Sequence, residues 1–229
     1  MDTEFKEAYF NTAIVTSVVL FGFEDDKLKI LTIPQEFEPF KGASVLPSKY
    51  VRVNDSVESK VKEIMNELTD VDFEYAEQLK AFTKVFRNPL GRVVNIAFYA
   101  LVKINDEVLA RCEKNNAKWE DYNQIPDLAF DHNEIIDYAK ERLKRRVKRR
   151  PIGFLLLPKY FTINQLQKLY EIALDREMDK RNFRKKIFNS ELIIETDMED
   201  TSGRKAAKLY KFDEERYEKL SLKGYDFLF

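Results

Sequence analysis

Hydrophobic and polar residues recur along the chain with two periods, and the switch from one to the other separates the elements. Ala13 to Phe23 (AIVTSVVLFGF) and Leu28 to Ile33 are β-rich, and the polar EDDK between them is a turn, so the chain opens with a hairpin. Gln35 to Leu46 is irregular, broken by Pro39 and Gly42. Pro47 to Asn54 reads as a short loop and strand. Asp55-Ser56 then starts a helix through about Leu68, in which Val57, Val61, Ile64, Met65 and Leu68 form a stripe at helical spacing. Tyr75 to Phe86 and Arg92 to Ile104 are strand segments joined by Arg87-Asn88-Pro89-Leu90-Gly91. Asn105 to Asn116 is a polar connection with room for a short helix, and Ala117 to Tyr122 carries Trp119. Asn133 to Arg149 is a helix with Ile135, Ile136, Ala139, Leu143 and Val147 inward, Asp131 or Asn133 as its cap, and Pro151 as its stop.

Beyond Pro151 the pattern changes to helix, turn, helix, strand, wing, strand. Thr162 is the N-cap of a first helix that buries Ile163, Leu166, Leu169, Tyr170 and Ala173, and Asp175 to Asp179 interrupts it. A second helix runs from about Asp179 to Asn189. At 100° per residue, Lys180, Arg181, Arg184 and Lys185 share one arc, with Phe183 and Ile187 together beside it. Leu192 to Glu195 and Ala207 to Phe212 are β-compatible, and the polar tip between them holds Gly203, Arg204 and Lys205. This order makes a winged helix, and the break at about Arg150 divides the chain into 1–150 and 151–229. DNA needs cations on an element that fits a groove about 12 Å wide and on flanks that hold phosphates. Lys180, Arg181, Arg184 and Lys185 on the second helix, with Arg204, Lys205 and Lys208 on the wing, meet that need. The basic end of the preceding helix, with Arg145, Arg146, Lys148, Arg149 and Arg150, is explained in part by its dipole and adds a further phosphate-facing candidate.

Composition narrows the alternatives. With 44% hydrophobic and 34% charged residues the chain can bury a core, and its net charge of −1 supplies no global attraction to nucleic acid. Residues 151–229 contain 15 Lys/Arg and 14 Asp/Glu, so any DNA binding must come from arrangement. The single cysteine, Cys112, excludes an internal disulfide and a thiolate metal cluster. No segment has the pattern of a signal peptide or the length of a membrane span, which implies a cytoplasmic protein. The single histidine, His132, stands at a helix start and reads as a structural hydrogen-bonding group.

The segments LKILTIPQEFEPFKGASVLPSKYVRVNDS, RNPLGRVVNIAFYALV, LAFDHNEII and IGFLLLPKYFTINQLQKLYEIALDREMDKRNFRKKIF resemble the Nudix-related transcription regulators over nearly the whole chain. The resemblance implies an α+β protein: a Nudix-like mixed sheet and helix sandwich over 1–150, sensing an effector, then a winged helix-turn-helix over 151–229. It also implies a homodimer that binds a palindromic operator, with half-sites separated by whole helical turns. A protein of another class with these features would be a binding or scaffold protein whose basic helix meets an acidic partner.

The Nudix signature, G-x5-E-x7-R-E-U-x-E-E-x-G-U, gathers carboxylates on one turn of helix to hold divalent metal against a diphosphate. Alignment of LPSKYV on the family's LPGGFV puts Lys49 at the glycine, Asp55 at the first glutamate, Glu63 at the arginine, and Ile64 and Leu68 at glutamates. Only Glu67 matches a metal ligand. The resemblance therefore implies a catalytically inactive domain without metal or cofactor, and an active Nudix hydrolase is the lesser alternative. Loss of the metal anchor favours a sugar or sugar derivative as effector, with an ADP-ribose-type nucleotide of NAD metabolism as the alternative. The ligand pocket is expected among Glu38, Lys41, Lys49, Arg87, Arg92, Asn95 and Trp119, which lie on or beside the segments flanking the family's cleft.

Overall fold

The opening hairpin closes on Asp25 and Asp26, whose φ values of 51° and 56° give the two left-handed residues that a type I′ turn requires. In the computed structural model, which describes residues 11–70, 75–202, 205–222 and 227, this turn joins β1 (Ala13–Glu24) to β2 (Lys27–Pro34). There follow β3 (Ser44–Val45), β4 (Ser48–Tyr50), α1 (Val57–Leu68), β5 (Ala76–Phe82), β6 (Val93–Leu101), α2 (Asp106–Lys114), β7 (Lys118–Asp121) and α3 (His132–Val147). The chain ends with α4 (Ile163–Leu174), α5 (Lys180–Asn189), β8 (Ile193–Asp200), β9 (Ala207–Phe212) and α6 (Glu214–Ser221).

The described residues divide into two compact units. One holds Lys29–Lys140 with the chain up to Gly22, and the other holds Phe23–Leu28 with the chain from Glu141 onward. The first is built on a mixed sheet of order β3-β2-β1-β6-β5, with β4 paired to β1 and β7 to β2. β1 and β6 run parallel, Ala13 opposite Val93 through Phe21 opposite Leu101, and the remaining pairings of β3, β4, β5 and β7 are antiparallel. Alternation along the strands sends Val18, Leu20, Leu31, Phe98 and Ala100 to one face, where they pack on Val61, Ile64, Met65 and Leu68 of α1 and Val108 and Cys112 of α2. The opposite set, Val19, Phe21 and Tyr99, is equally buried, so both faces of the sheet are covered. Ser56 starts α1 by accepting from Ser59 N at 3.0 Å, and Asn105 starts α2 by accepting from Val108 N at 2.8 Å.

The second unit has its own core of Phe154, Phe161, Leu166, Leu169, Tyr170, Phe183, Ile187, Leu192 and Tyr210. Pro151 does end the long helix, and a buried 3-10 turn over Pro151–Leu156 follows it. Phe161 forms an isolated antiparallel bridge with Tyr210, which ties the start of α4 to the β8-β9 ribbon. Helix-helix-ribbon in this order is a winged helix. No helix among the described residues is long and apolar enough to cross a membrane.

Candidate functional site

In the first unit, the ends of β1, β2 and β4 and the outer face of α1 enclose a cavity of about 700 Å³, within the range of small-molecule sites. Its walls carry apolar groups (Val15, Ile33, Leu46), the aromatic rings of Phe37 and Phe130, and both signs of charge: Lys49, Arg52, Lys60, Arg87 and Lys114 against Glu36, Glu63 and Glu67.

The helical period sets the charged wall. Glu63 and Glu67 lie one turn apart on α1 and face Lys49 on β4, whose Nζ donates to Glu63 Oε1 at 2.8 Å and meets Glu67 Oε2 at 2.7 Å. Lys60 continues the chain of charges, 2.7 Å from Glu63 Oε2 and 3.2 Å from Asp55 Oδ2. Burial works against the Lys49 ammonium, but its bonds to Glu63 and Glu67 hold its pKa above the ordinary lysine value. Glu63, held by Lys49 and then Lys60, is drawn down to about 2. Ile64 and Leu68, the neighbours of these glutamates in sequence, belong to the buried core.

Behind this wall, Arg87 makes a bidentate pair with Asp131, Nε to Oδ2 at 2.9 Å, with the two side chains 2% and 10% exposed. The Asp131 carboxylate is engaged with Arg87 while its backbone C=O accepts from Ile135 N at the start of α3, and Asn133 Oδ1 accepts from Leu128 N at 2.8 Å. His132 is buried beside them and its Nδ1 accepts from Leu46 N at 3.0 Å. Burial, with Arg87 adding to it against the pull of Asp131, lowers its pKa to about 4, so the ring is neutral and the hydrogen bond is kept.

Of the residues expected from sequence to line a pocket, Lys49 and Arg87 do so. Asn95 is fully buried and donates to Ser17 Oγ at 2.7 Å, so it reaches the cavity only through Ser17. Arg92 donates to Thr83 O at 2.7 Å and Lys84 O at 3.2 Å and braces the loop between β5 and β6. Glu38 and Lys41 are exposed and away from the cavity wall, where Glu36 and Phe37 stand instead. Trp119 sits opposite Leu31 in the β2-β7 register, and therefore packs on the core rather than the cavity. Gly22 makes room for it, since a Cβ there would fall 2.9 Å from the Trp119 ring and 2.5 Å from Ile104. Sequence reasoning missed the meeting of Glu63 and Glu67 with Lys49. A glutamate pair at a four-residue spacing was the available signal, but its partner comes from a strand.

A Nudix domain implies a divalent metal held by clustered carboxylates, and the residues present do not fit one. Among the described residues no three His, Cys, Asp or Glu side chains come together as metal ligands. The two carboxylates that α1 gives to the cavity wall already share an ammonium, and apolar side chains stand beside them.

In the second unit, Thr162 and Gln165 form a reciprocal capping box at the start of α4. Asp175, at φ 50°, ends the helix in the left-handed conformation and pairs with Lys144 Nζ at 3.0 Å. The turn to α5 is clipped internally: Glu171 Oε1 accepts from Met178 N at 3.0 Å and from Gln167 Nε2 at 2.9 Å, and the same Nε2 donates to Met178 O at 2.9 Å. Asp179 then caps α5 by accepting from Asn182 N at 2.8 Å. Phe183 and Ile187 of α5 are buried, while Lys180, Arg181, Arg184 and Lys185 are exposed. Arg184 lies over the Phe188 ring, 5.8 Å from its centroid. Among the described residues no carboxylate pairs with Lys180, Arg181, Arg184 or Lys185, although Lys208 on the ribbon pairs with Glu195 and Arg216 pairs with Glu191. Lys205 is exposed near the wing tip, and Arg204 lies outside the described residues.

Comparison with known proteins places both units. Residues 153–212 match the NrtR DNA-binding winged helix domain. An ADPR responsive transcriptional repressor NtrR from Acinetobacter baylyi is 27% identical over 228 residues, which is 98% of this chain and 88% of the relative. An ADP-ribose pyrophosphatase from Methanocaldococcus jannaschii is 34% identical over 125 residues, 54% of this chain and 73% of the relative. Among solved structures, Shewanella oneidensis NrtR complexed with a 27mer DNA is similar at a TM-score of 0.75 and 27% identity, covering 90% of this chain and 95% of that one.

Proposed function

We propose that this chain, which belongs to the Nudix-related transcription regulators, is an ADP-ribose-responsive repressor that binds operator DNA through its winged helix. In this reading residues 1–150 are the effector domain and 151–229 the DNA-binding domain of a cytoplasmic homodimer. The observation that carries it is the state of α5. Where exposed Lys208 and Arg216 of this unit find carboxylates, Lys180, Arg181, Arg184 and Lys185 have none among the described residues and lie on the exposed side of a capped helix. Free cations on a helix of groove width are what base edges and phosphates require. Lys205, near the wing tip, would hold phosphate, as would Arg204, which lies outside the described residues. Lys208 would do so only after leaving Glu195.

For the effector, the sugar expected from sequence gives way to ADP-ribose. The Acinetobacter and Methanocaldococcus relatives are named for ADP-ribose, and a cavity wall in which Arg52 and Lys114 pair with no carboxylate among the described residues suits a diphosphate better than a neutral pentose. The domain acts as a sensor, without hydrolysis, because the carboxylates of α1 hold a lysine instead of a metal ion.

The test is binding of selected operator DNA and of random DNA over a salt series, with ADP-ribose, arabinose and ribose 5-phosphate added in turn. Sequence-selective, steeply salt-dependent binding that ADP-ribose alone abolishes is expected. Binding that is salt-dependent but indifferent to sequence would instead favour a basic helix made for an acidic partner.

A further inference from the structure

The disagreement between the metal site that the fold implies and the residues that occupy its place leads to a specific arrangement. Glu63 Oε1 and Glu67 Oε2 are held 2.8 and 2.7 Å from a single nitrogen, Lys49 Nζ, which bridges two successive turns of α1 at the cavity wall. Two carboxylates on adjacent turns, converging on one cation from one side, are the geometry in which a hard divalent ion is captured. Here the cation is attached to the backbone of β4. Its place is determined by strand pairing, since Lys49 lies opposite Thr16 of β1 and its neighbour Ser48 opposite Ser17. The other oxygen of Glu63 is taken by Lys60, which also holds Asp55, so little negative charge is left for an incoming ion.

We propose that Lys49 is a tethered counter-cation that takes the place of a divalent ion between Glu63 and Glu67, of which only Glu67 stands at a metal-ligand position of the Nudix signature, so that the cavity binds a diphosphate ligand without metal. The diphosphate part rests on the proposed effector; the position of the ammonium does not. Removal of Lys49 leaves Glu63 and Glu67 facing a space where the ammonium was, and a weak divalent site opens there. Since a like-charged ammonium within about 4 Å repels a divalent ion even in water, its removal should tighten Mn²⁺ binding more than about tenfold.

The experiment has two arms. In the first, Mn²⁺ is titrated into the full-length protein, Lys49→Ala, and Lys49→Ala with Glu67→Gln, and bound ion is read from the loss of the free-ion EPR signal. The expected result is no stoichiometric binding by the parent, binding by Lys49→Ala, and its loss in the double variant. Parent protein that binds one Mn²⁺ and loses it on Glu67→Gln would overturn the proposal without reliance on Lys49→Ala folding, and so would a folded Lys49→Ala with no affinity for Mn²⁺. In the second arm, thermal stabilisation of the parent by ADP-ribose is measured in EDTA and in Mg²⁺. Equal shifts are expected. A shift that needs Mg²⁺ refutes metal-free binding, whereas no shift in either buffer refutes the ADP-ribose reading and leaves the first arm to decide where Lys49 stands.

Discussion

Acidification should destabilise the first unit through His132, and the amount follows from its surroundings. The imidazole is 4% exposed, and its Nδ1 accepts a hydrogen bond from Leu46 N, so a proton on Nδ1 would set one donor against another. Its pKa falls from 6.5 to about 4 on folding, mainly by burial. The unfolded chain then binds the proton more tightly, and the associated stability is complete above pH 6.5 and is lost as pH falls through 4. The full difference corresponds to roughly 3 kcal/mol, of which about 2 kcal/mol is gone by pH 5. Glu63 does not obscure this window, since its pKa is about 2 folded and 4.5 unfolded, so its contribution is nearly complete at pH 5 and is lost only as pH falls from 4.5 towards 2. Urea unfolding at pH 7, 6 and 5, followed by the fluorescence of Trp119, the single tryptophan and a residue of the same unit, measures the slope. His132→Asn keeps an acceptor for Leu46 N and cannot take up the proton, so its stability should be flat between pH 7 and 5. Parallel loss of stability in parent and variant would refute the assignment.

Four further outcomes are expected. Arg181→Ala or Arg184→Ala should cost roughly 1–3 kcal/mol on selected operator and relax one base position, while Lys205→Ala should weaken all sequences alike and reduce the salt slope by about one, as read by fluorescence anisotropy. Thr162→Ala removes one half of the capping box of α4 and should lower the stability of the second unit by about 1 kcal/mol in chemical denaturation. Gly22→Ala would place a methyl 2.5 Å from Ile104 and 2.9 Å from Trp119, and the repacking should cost roughly 1–3 kcal/mol and shift the tryptophan emission. ADP-ribose incubated with Mg²⁺ or Mn²⁺ should not be cleaved above background, and metal-dependent turnover lost in Glu67→Gln would refute the sensor reading.

Where burial follows periodicity, the elements were legible in the chain. The apolar stripe of α1, the split of α5 into Phe183 and Ile187 against four cations, and the hairpin about Asp25 are local patterns with local causes. Elements whose stability is tertiary were not. The ribbon strand β8 continues past Glu195 through a polar run that holds a bulge, and resumes its pairing where Glu199 and Asp200 stand opposite Lys208 and Ala207 of β9. Helix α6 has no buried residues, so no apolar stripe announces it. The cavity suffered from the same limit: Trp119 and Asn95 lie on segments beside the cleft, but strand alternation and register turn them into the interior, which sequence spacing alone does not reveal. The sequence places Lys49 where the Nudix signature has a glycine, and only the fold shows which carboxylates it meets.

The clip made by Gln167 and Glu171 across the turn before α5 bears on how discrimination between DNA sequences would be divided between enthalpy and entropy. Met178 is held through both its backbone N–H and its backbone C=O, so the entry angle of α5 is set by the folded protein itself. A recognition helix that becomes ordered only on contact loses conformational freedom with every DNA it touches, right or wrong, and this common cost weakens binding to all of them. With the turn already rigid, association orders little beyond the long basic side chains. Measured by calorimetry, the heat-capacity change on operator binding should then match the surface that α5 and the wing bury, with no excess from a folding transition.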